Sequence, residues 1–305
     1  MSVGVSVIIP TRNRRELLAK TLNSARRQCG VVCEIIVVDE ASTDETPALL
    51  ADLAGPSFKV IRHDVPLGLP LARNLGAAQA SGEWLAFLDD DDLWAPDKLV
   101  AQLRAAEQGG RDWVYSGAVN FSADRITRCE PPSDPNAVAA DLLHFNPIPG
   151  GGSNVMVRSQ TWIDVGRFDT RFQGGEDWEL SIRLAKHGPP AWVCRPLVAK
   201  RIHATNMFTS VANIVRATRL IETIHETKVD WGRMYRWFAY RHLRNGDRAG
   251  AALAWARAAM RGQLFGVIED VRGAVMRKPA DLSVDQRAWR NAAIQWLSAL
   301  EPAIH

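Results

Sequence analysis

The sequence of 305 residues predicts an α/β fold, a mostly parallel, doubly wound sheet with a helical extension at its C-terminal end. Three observations support this prediction. Short apolar runs rich in β-branched residues alternate with segments of helical periodicity, which is typical of parallel sheets. Several of these runs end abruptly in polar or acidic residues, as strands do at a ligand-binding edge. From Ser210 onward the apolar runs stop and helical periodicity continues alone.

The first half of the chain contains the clearest strand signals. The β-branched and aromatic runs predict strands at residues 5–9, 34–38, 58–62 and 84–88. Helices are predicted between them at 14–28, from Pro47 onward and at 69–79, where prolines near the start favour helix initiation. A helix at 96–108 and a strand at 113–119 are expected next. Residues 122–149 are rich in Pro, Asp and Asn and predict a long irregular loop.

The second half predicts fewer strands and more helices. We expect a strand at 154–157, a short helix around Trp162 and a longer helix opened by Gly174 and Gly175. One or two final strands are predicted between residues 192 and 203. In the extension, helices are predicted at 231–243, 248–261 and 286–300, and the first two form a hairpin.

The composition is that of an ordinary globular protein, with 47% hydrophobic and 23% charged residues. No apolar run approaches the roughly 18 to 20 residues that a membrane span needs. The four cysteines lack C-x-x-C spacing, which favours a reduced, cytoplasmic protein, and the first apolar run predicts a strand rather than a signal peptide. Residues 1–199 carry 20 Lys and Arg against 25 Asp and Glu, whereas residues 200–305 carry 17 against 9, so the extension is the basic part.

Four adjacent aspartates, Asp89, Asp90, Asp91 and Asp92, follow the fourth predicted strand. Neighbouring carboxylates repel one another and raise each other's pKa, so such a cluster suggests a bound cation. Hard oxygen ligands suit Mg²⁺ or Mn²⁺, which keep open positions for phosphate oxygens, and the pattern therefore predicts nucleoside-diphosphate chemistry. A solvated acidic turn is the more common explanation of acidic runs in general, but the position at the carboxyl end of a strand favours a ligand site.

Polar residues after the first and second strands are candidates for nucleotide contacts. Asp39 ends the second strand, where its carboxylate can accept hydrogen bonds from a base or a ribose. Capping of the next helix is the alternative role for this residue. Thr11, Arg12 and Asn13 leave the first strand at the same edge, directly after Pro10.

Four further residues are candidates for catalysis or ligand binding. Glu176 and Asp177 follow two glycines at a helix start, where Asp177 is the candidate general base; the alternative for both is stabilisation of the helix dipole. His203 follows the last strand and would suit Mn²⁺ beside Asp91, although a lone histidine is more often structural. Arg73 can contact a phosphate or hold an aspartate, and a surface salt bridge is the alternative.

Seven segments between residues 3 and 206 resemble, in order, the GT-A glycosyltransferases. Among these enzymes the resemblance is to the inverting family 2, which includes chondroitin polymerase and many bacterial polysaccharide and O-antigen transferases. Each segment is weak alone, whereas seven in order are specific for the family. The segments are V-S-V-I-I-P-T-R-N-R, E-I-I-V-V-D-E-A-S-T-D-E-T, L-G-L-P-L-A-R-N-L-G-A-A, G-E-W-L-A-F-L-D-D-D-D-L-W-A-P-D-K-L, V-G-R-F-D, G-G-E-D-W-E-L and R-I-H-A-T-N.

The resemblance implies a GT-A fold and specific roles on the donor side. Asp39 is expected to contact the nucleotide base, with residues 11–13 near it. Asp89 and Asp91 match the family's D-x-D element, Asp89 near the ribose and sugar and Asp91 at the metal that bridges the diphosphate. The family usually has a small residue where this chain has Asp90, which leaves the register of the D-x-D element open by one residue. Arg73 is expected in the same donor site.

The resemblance also implies an inverting reaction with Mn²⁺ or Mg²⁺ as cofactor. Asp177 would deprotonate an acceptor hydroxyl, which attacks the anomeric carbon opposite the leaving diphosphate without a covalent glycosyl-enzyme. Glu176 would support this base, and His203 would lie near the metal. The expected donor is a nucleoside-diphosphate sugar, with UDP or dTDP favoured, and the expected acceptor is a saccharide or a lipid-linked molecule.

The expected domains are a catalytic domain at 1–208 and a basic helical extension at 209–305. Within the catalytic domain, residues 1–121 form the donor half and residues 122–208 the acceptor half. Acceptor contacts are expected from the 122–149 loop and from Gly151, Gly152, Asn154 and Trp178.

The basic helices of the extension have three open roles, namely peripheral contact with an anionic membrane, packing on the catalytic domain, and formation of a homodimer. We expect no nucleic-acid partner, and a location in the cytoplasm or at the inner face of the membrane. The residues that suggest these roles are Arg233, Arg236, Arg241, Arg244 and Arg248, near Trp237 and Phe238.

Three rival functions are weighed against glycosyl transfer. A non-catalytic nucleotide-sugar or carbohydrate-binding module would have no reason to combine Asp91, Asp177 and His203. A nucleotidyltransferase is expected to have a glycine-rich, basic loop after the first strand, and residues 10–14 contain no glycine. A hydrolase with paired carboxylates would release free sugar without an acceptor.

Overall fold

The structure is a computed structural model that describes residues 4–123, 125–203, 211–244, 246–276 and 284–304. In these ranges nine strands form one sheet, as an α/β fold requires. The strands are β1 Val5–Thr11, β2 Cys33–Glu40, β3 Phe58–His63, β4 Trp84–Phe87, β5 Leu93–Trp94, β6 Trp113–Ser122, β7 Arg125–Glu130, β8 Met156–Arg158 and β9 Ala191–Arg201.

Helices follow most strands, and short helical turns complete the chain. A 3-10 turn spans Gly151–Ser153 and a π-helical turn spans Ala259–Gln263. The α-helices are α1 Arg15–Arg26, α2 Thr46–Ala51, α3 Leu69–Ala78, α4 Lys98–Gly109, α5 Pro135–Leu142, α6 Ser159–Asp164, α7 Glu176–His187, α8 Val211–His225, α9 Trp231–Arg244, α10 Arg248–Ala258, α11 Leu264–Met276 and α12 Val284–Leu297.

The strand order confirms the predicted mostly parallel sheet. The order is β3-β2-β1-β4-β8-β6-β9-β5, with β7 beside β6. β3, β2, β1 and β4 are mutually parallel, so their carboxyl ends meet at one edge. β8 is antiparallel to both β4 and β6, whereas β6 and β9 are parallel. The sheet therefore changes direction beside β4, next to the predicted acidic site.

Each face of the sheet has its own hydrophobic core because successive strand residues point to opposite faces. On β4, Trp84 and Ala86 pack with Leu18 of α1 and Leu99 of α4. Leu85 and Phe87 point the other way and pack with residues of α6 and α7, and Phe87 meets the edge of the Phe168 ring at 4.8 Å between centroids. The two cores fix α1 and α7 on opposite sides of the strand that carries the aspartates.

The C-terminal helices pack on the sheet domain. Met234 and Phe238 of α9 are buried in the same cluster as α7. Trp289 of α12 lies on Gly117 of β6, where any Cβ would overlap the indole ring, and its Nε1 donates to the Ala118 carbonyl at 3.4 Å. Of the three roles predicted for the extension, packing on the catalytic domain is therefore present. The predicted boundary at 208/209 falls outside the described residues and stays a prediction.

The prediction of an irregular loop at 122–149 is wrong. This segment contains β7, which pairs antiparallel with β6, and α5. The Asp and Pro residues that suggested a loop form a helix start: the Asp134 side chain accepts a hydrogen bond from the Asn136 N–H at 2.8 Å, and Pro135 occupies the first turn. Only one final strand, β9, spans the region where one or two were expected.

The extension also contains elements that the sequence did not reveal. α8 and α11 were not predicted as separate helices, and α10 ends at Ala258 because the chain bends at Arg261 and Gly262. In the described residues, none of the helices combines the length and apolar character needed to cross a membrane.

Candidate active site

The predicted candidate residues come from three strand ends and one helix start. Thr11 ends β1, Asp39 lies near the end of β2, and the four aspartates follow β4. Asp177 lies in the first turn of α7, after Gly174 and Gly175, whose φ values of 114° and 79° favour glycine. Parallel strands thus bring the donor-side candidates to one edge of the sheet, and a glycine turn starts the helix that carries the candidate base.

The acidic loop after β4 divides its four carboxylates into two groups. Asp89, Asp91 and Asp92 each offer an oxygen, and these atoms lie within 4.8 Å of one another. Asp90 turns away, because its oxygens accept hydrogen bonds from Thr11 Oγ1 at 2.8 Å and Arg14 Nη1 at 2.9 Å. This arrangement places Asp89 and Asp91 together, in the register that the D-x-D resemblance implies, and adds Asp92, which was not predicted as a ligand.

Basic groups surround Asp91. Its Oδ2 lies 2.9 Å from Arg14 Nη1 and 2.9 Å from His203 Nε2. The predicted pair of Asp91 and His203 is therefore in direct contact, although His203 is not part of the three-carboxylate group. Arg14 was not predicted as a site residue, and the quoted segment that ends in this arginine was its only sequence signal. Residues 204–206 of the R-I-H-A-T-N segment lie outside the described residues.

Burial and neighbouring charges give the aspartates of the loop different pKa values. Burial raises the pKa of Asp90 to about 6, against the lowering effect of Arg14. Burial and the neighbouring Asp91 raise the pKa of Asp92 well above its usual range. Burial also acts to raise the pKa of Asp91, but the hydrogen bond with His203 and the charge of Arg14 outweigh it, so the pKa of Asp91 is lowered. Adjacent identical side chains thus have different proton affinities.

The last strand holds the acidic loop from behind. The Arg201 backbone N–H donates to Asp92 Oδ1 at 3.0 Å, and Arg201 Nε donates to the Asp91 carbonyl at 3.1 Å. Glu301 in turn forms an ion pair with Arg201 and a second one with Lys20 of α1 at 3.0 Å. On the other side, Ser153 Oγ donates to Asp92 Oδ2 at 2.6 Å and accepts from the Asp89 N–H at 3.1 Å. The loop is therefore supported from both sides.

The donor atoms of the loop fit a divalent cation. Three carboxylate oxygens that lie within 4.8 Å of one another are hard oxygen ligands, which Mg²⁺ and Mn²⁺ prefer. The residues that would hold such an ion are Asp89, Asp91 and Asp92.

Arg73 links the acidic loop to α7. Its side chain is only 1% exposed, and its guanidinium bonds Asp89 and, at 2.7 Å, Glu176 Oε1. The group lies over the Phe168 ring at 5.3 Å and against Gly152, where a Cβ would come within 2.6 Å of Nη2. Arg73 therefore holds an aspartate, which is one of its predicted roles, and it does so inside the protein. Gly152 is predicted as an acceptor contact, and in the structure it provides the space that Arg73 needs.

Glu176 and Asp177 occupy different environments although they are adjacent. Glu176 is buried, and burial together with the charge of Asp177 raises its pKa to about 7, against the lowering effect of Arg73. Its Oε2 has no hydrogen-bond partner among the described residues. Asp177 is half-buried, and its Oδ1 accepts from the Trp178 N–H at 2.9 Å. Of the two, Asp177 is the more accessible to a substrate.

Gly151 brings a lysine and the candidate base together. Asp177 Oδ2 and Lys200 Nζ each lie 3.1 Å from the position that a Gly151 Cβ would occupy, so the two atoms are at most twice that distance apart. Burial alone would lower the pKa of Lys200, but the charges of Asp92, Asp89, Asp177 and Asp91 raise it. Lys200 was not predicted, and its position three residues before His203 gave no signal.

Two predicted acceptor residues have buried side chains. Asn154 is fully buried, and its side chain bonds the Ser116 backbone and, through Nδ2, the Pro149 carbonyl at 2.8 Å. Trp178 is 5% exposed, and its Nε1 donates to the Leu142 carbonyl at 2.7 Å. Both are structural in this conformation because their polar atoms are already bonded within the protein. Gly151 is the predicted acceptor residue that borders Asp177.

The residues predicted at the nucleotide base lie together at the ends of β1 and β2. Asp39 is buried, and its carboxylate accepts hydrogen bonds from the Ser42 N–H at 3.0 Å and from Arg62, which was not predicted. Asn13 Oδ1 accepts from the Thr43 N–H at 2.7 Å, which joins the two strand-end loops. Arg12 and Asn13 are exposed at this edge, whereas Pro10 and Thr11 are buried.

Comparisons with known proteins agree with this geometry. Residues 6–141 match the sequence model described as Glycosyl transferase family 2. The chain is 31% identical over 189 residues to YwdF of Bacillus subtilis, described as an uncharacterized glycosyltransferase, and this match covers 60% of the chain and 68% of YwdF. It is 28% identical over 200 residues to the amylovoran biosynthesis glycosyltransferase AmsB of Erwinia amylovora, covering 61% of the chain and 65% of AmsB.

A solved structure extends the likeness to most of the chain. The crystal structure of S. aureus TarS 1-349 in complex with UDP-GlcNAc superposes with a TM-score of 0.57 at 16% sequence identity. The superposition covers 98% of this chain and 82% of that one. The comparison shows a shared fold that includes the C-terminal helices.

Proposed function

This chain belongs to glycosyl transferase family 2, and on that premise we propose that it is a metal-dependent, inverting glycosyltransferase. It moves a sugar from a nucleoside-diphosphate sugar to a hydroxyl acceptor, in the synthesis of a cell-surface polysaccharide or glycoconjugate. The relative named for amylovoran biosynthesis supports the polysaccharide part. The TarS complex named for UDP-GlcNAc makes a UDP-sugar the first donor to test.

One observation carries the proposal. Lys200 Nζ and Asp177 Oδ2 border the same glycine, Gly151, and the clustered carboxylates of Asp89, Asp91 and Asp92 act together with Asp177 to raise the pKa of this lysine. A diphosphate leaving group needs positive charge beside it, and an attacking hydroxyl needs a base on the other side of the reacting carbon. The site brings both kinds of group together.

The donor would bind along the strand ends. Asp89, Asp91 and Asp92 would hold Mn²⁺ or Mg²⁺, with His203 beside Asp91 as the further predicted ligand. When bound, such an ion neutralises charge on the diphosphate. Arg12, Asn13 and Asp39 border the expected place of the nucleotide base, so Arg62 would have to share or release Asp39 when the base enters.

Asp177 acts as general base in the proposed reaction. Its carboxylate takes the proton of the acceptor hydroxyl while the hydroxyl oxygen forms a bond to the anomeric carbon. The bond from that carbon to the diphosphate oxygen breaks at the same time, the diphosphate leaves with the electron pair, and the configuration inverts.

Lys200 adds positive charge between the acidic loop and the base. We expect Lys200→Met to weaken UDP binding about tenfold in the presence of Mn²⁺, because a charge-assisted contact to the diphosphate is lost. Titration calorimetry with UDP measures the effect. Unchanged affinity would exclude Lys200 from the diphosphate contact.

The test of the donor site is thermal stabilisation by nucleotides. UDP, dTDP, GDP, CMP and ADP are each added with and without Mn²⁺, to the wild-type protein, to Asp91→Ala and to a matched control, Asp52→Ala, whose side chain is exposed at the far end of α2. A metal-dependent shift of several degrees for one nucleotide, lost in Asp91→Ala and kept in Asp52→Ala, supports the proposal. Absence of any metal-dependent shift contradicts it.

Inversion is tested separately once a donor is identified. The anomeric configuration of the product is compared with that of the donor by NMR, and a retained configuration would remove the role given to Asp177. Peripheral membrane contact and the homodimer remain predictions that are independent of this chemistry, because neither supplies a reacting group.

A further inference from the structure

The outward face of α10, the π-helical turn and α11 exposes large apolar side chains. Eleven such side chains are exposed in the described residues, and five of them fall within residues 253–268. Their exposed fractions run from 51% to 75%, whereas singly exposed hydrophobic residues elsewhere need no explanation. We call these five residues the apolar patch: Leu253, Met260, Leu264, Phe265 and Ile268.

The patch results from helical periodicity and one bend. On α10 the small residues Ala251, Ala254 and Ala258 are buried against the rest of the protein, which leaves Leu253 on the outer side. The chain bends at Gly262, whose φ of 82° favours glycine, and α11 then buries Val267. A helix that buries small residues and exposes large ones has its apolar surface turned away from the core, which indicates an external partner.

Positive charge accompanies the apolar patch. Residues 231–276 contain eight Arg and no Lys against three Asp and Glu, a net charge of +5. Arg257 and Arg261 are exposed at the patch, and their guanidinium groups lie over the Tyr235 ring at 5.7 and 4.8 Å. Tyr235 therefore holds these charges beside the apolar side chains.

The arginines that the sequence suggested for this role are mostly engaged inside the protein. Arg233 lies over the Phe145 ring at 4.4 Å, Arg236 bonds both carboxylate oxygens of Asp270, and Arg241 lies over Trp237 at 4.8 Å. The side chain of Arg244 lies outside the described residues. The outward charge of this region thus comes from α10 and the π-helical turn more than from α9.

We propose that the apolar patch and its arginines dock on an anionic lipid bilayer. The five apolar side chains would enter the boundary between headgroups and acyl chains, and Arg257 and Arg261 would contact lipid phosphates. A second copy of the chain is the rival occupant, but a twofold contact would place two surfaces of the same positive charge against each other. An anionic bilayer complements both parts of the surface, because its acyl chains accept the apolar side chains and its phosphates attract the arginines. The docking deepens the proposed function and rests on it for its purpose, because it would bring the site to a lipid-linked acceptor.

The test measures vesicle binding of the full chain by co-sedimentation. Vesicles are made of phosphatidylcholine alone or of phosphatidylcholine with phosphatidylglycerol. We expect the wild type to bind the anionic vesicles at least about tenfold more tightly than the neutral ones, with the difference reduced by salt. Binding to neither, or equal binding to both, overturns the proposal.

Two variants separate the apolar and charged contributions. Leu264→Ser with Phe265→Ser should reduce binding at least about tenfold, and Arg257→Gln with Arg261→Gln should reduce it on anionic vesicles only. The matched control is Ile163→Ser, which changes an exposed apolar residue at the end of α6 and should bind like the wild type. Undiminished binding of the Leu264 and Phe265 variant contradicts the assignment of the patch. A wild-type dimer in sedimentation velocity that this variant converts to a monomer assigns the patch to a second copy instead.

Nucleotide stabilisation in the same preparations keeps the two proposals distinct. The patch variants should keep the metal-dependent nucleotide shift, which also shows that they are folded. If a patch variant loses vesicle binding but keeps the nucleotide shift, the result concerns the docking proposal and not the proposed glycosyl transfer. Vesicle binding without any nucleotide shift in the wild type would leave the docking in place and remove the proposed transfer.

Discussion

The acidic loop after β4 and the start of α7 both hold carboxylates inside the protein, but they differ in how many groups bond those carboxylates. The loop contains two buried carboxylates with raised pKa values and the helix start contains one, and each segment has a more accessible carboxylate, Asp89 in the loop and Asp177 in the helix. The loop is held by Thr11, Arg14, Ser153 and Arg201, whereas Glu176 bonds a single side chain, Arg73, in the part of the chain that the structure describes. The loop should therefore tolerate the loss of one contact, and the helix start should not.

The largest expected effect concerns Asp177, one of the two adjacent carboxylates at the start of α7. Asp177→Asn should lower turnover of the donor by about 10²- to 10⁴-fold, because the amide cannot accept the acceptor's proton. Nucleotide stabilisation should be unchanged, since the residue lies on the acceptor side of the proposed site. Release of UDP from a UDP-sugar measures turnover, with Asp164→Asn, exposed at the end of α6, as control. Wild-type turnover in Asp177→Asn would contradict its role as base.

Arg73→Met tests the contribution of Arg73 to the start of α7. The change leaves the buried Glu176 and the partly buried Asp89 without their cation, and loss of one partner of a buried ion pair costs about 3 to 5 kcal/mol. Urea unfolding measures the free energy. Arg171→Met, which removes an exposed ion pair with Asp169, should change stability little. If Arg73→Met does not fold, addition of Glu176→Gln should recover part of the loss, and no recovery would show that the pair is not the reason.

The pH dependence of stability should show the raised pKa of Glu176. Between its ordinary value of 4.5 and its folded value of about 7, the folded protein keeps a proton that the unfolded chain has lost. The free energy of unfolding should therefore fall as pH rises through this interval, by at most about 1.4 kcal/mol per pH unit from this group. Glu176→Gln should make the dependence shallower, while Asp90 keeps part of it. An unchanged slope would mean that Glu176 does not titrate there.

The smallest expected effect comes from the well-supported loop. Ser153→Ala removes a hydroxyl that donates to Asp92 at 2.6 Å, but the Arg201 N–H still bonds the same carboxylate. We expect a loss of about 1 kcal/mol in the free energy of unfolding and little change in nucleotide affinity. Ser298→Ala, which removes a hydroxyl bonded to a helical carbonyl, is the matched control. A loss of unfolding free energy as large as that of Arg73→Met would show that the acidic loop is no better supported than the start of α7.

The parts of the fold that were predictable are those with local signals. The β-branched runs of β1 to β4 and the glycine pair before α7 are short patterns whose cause lies in neighbouring residues. β7 was missed because it forms only by pairing with β6, and its own sequence, with Arg125, Arg128 and Glu130, has little apolar character.

The site was predictable in its acids and much less in its bases. The four aspartates are adjacent in sequence, so their meeting needed no knowledge of the fold. Arg14 and Lys200 reach them only through the sheet, across separations that no sequence pattern encodes. Asn154 and Trp178 show a further limit of the sequence, and their acceptor role stays a prediction. Their place in the chain was near the site, but the direction of a side chain in a short turn or on a helix depends on what it packs against.

The ion pair between Arg201 and Glu301 has a consequence for synthesis of the protein on the ribosome. The two residues are 100 positions apart, and Arg201 is the residue that holds Asp91 and Asp92 from behind. Strands β1 to β4 can pair as soon as they leave the exit tunnel, because their contacts are nearer in sequence. The nascent chain must therefore carry four clustered aspartates without this anchor until residue 301 has been translated. The acidic loop is made early, and the ion pair behind Arg201 forms last.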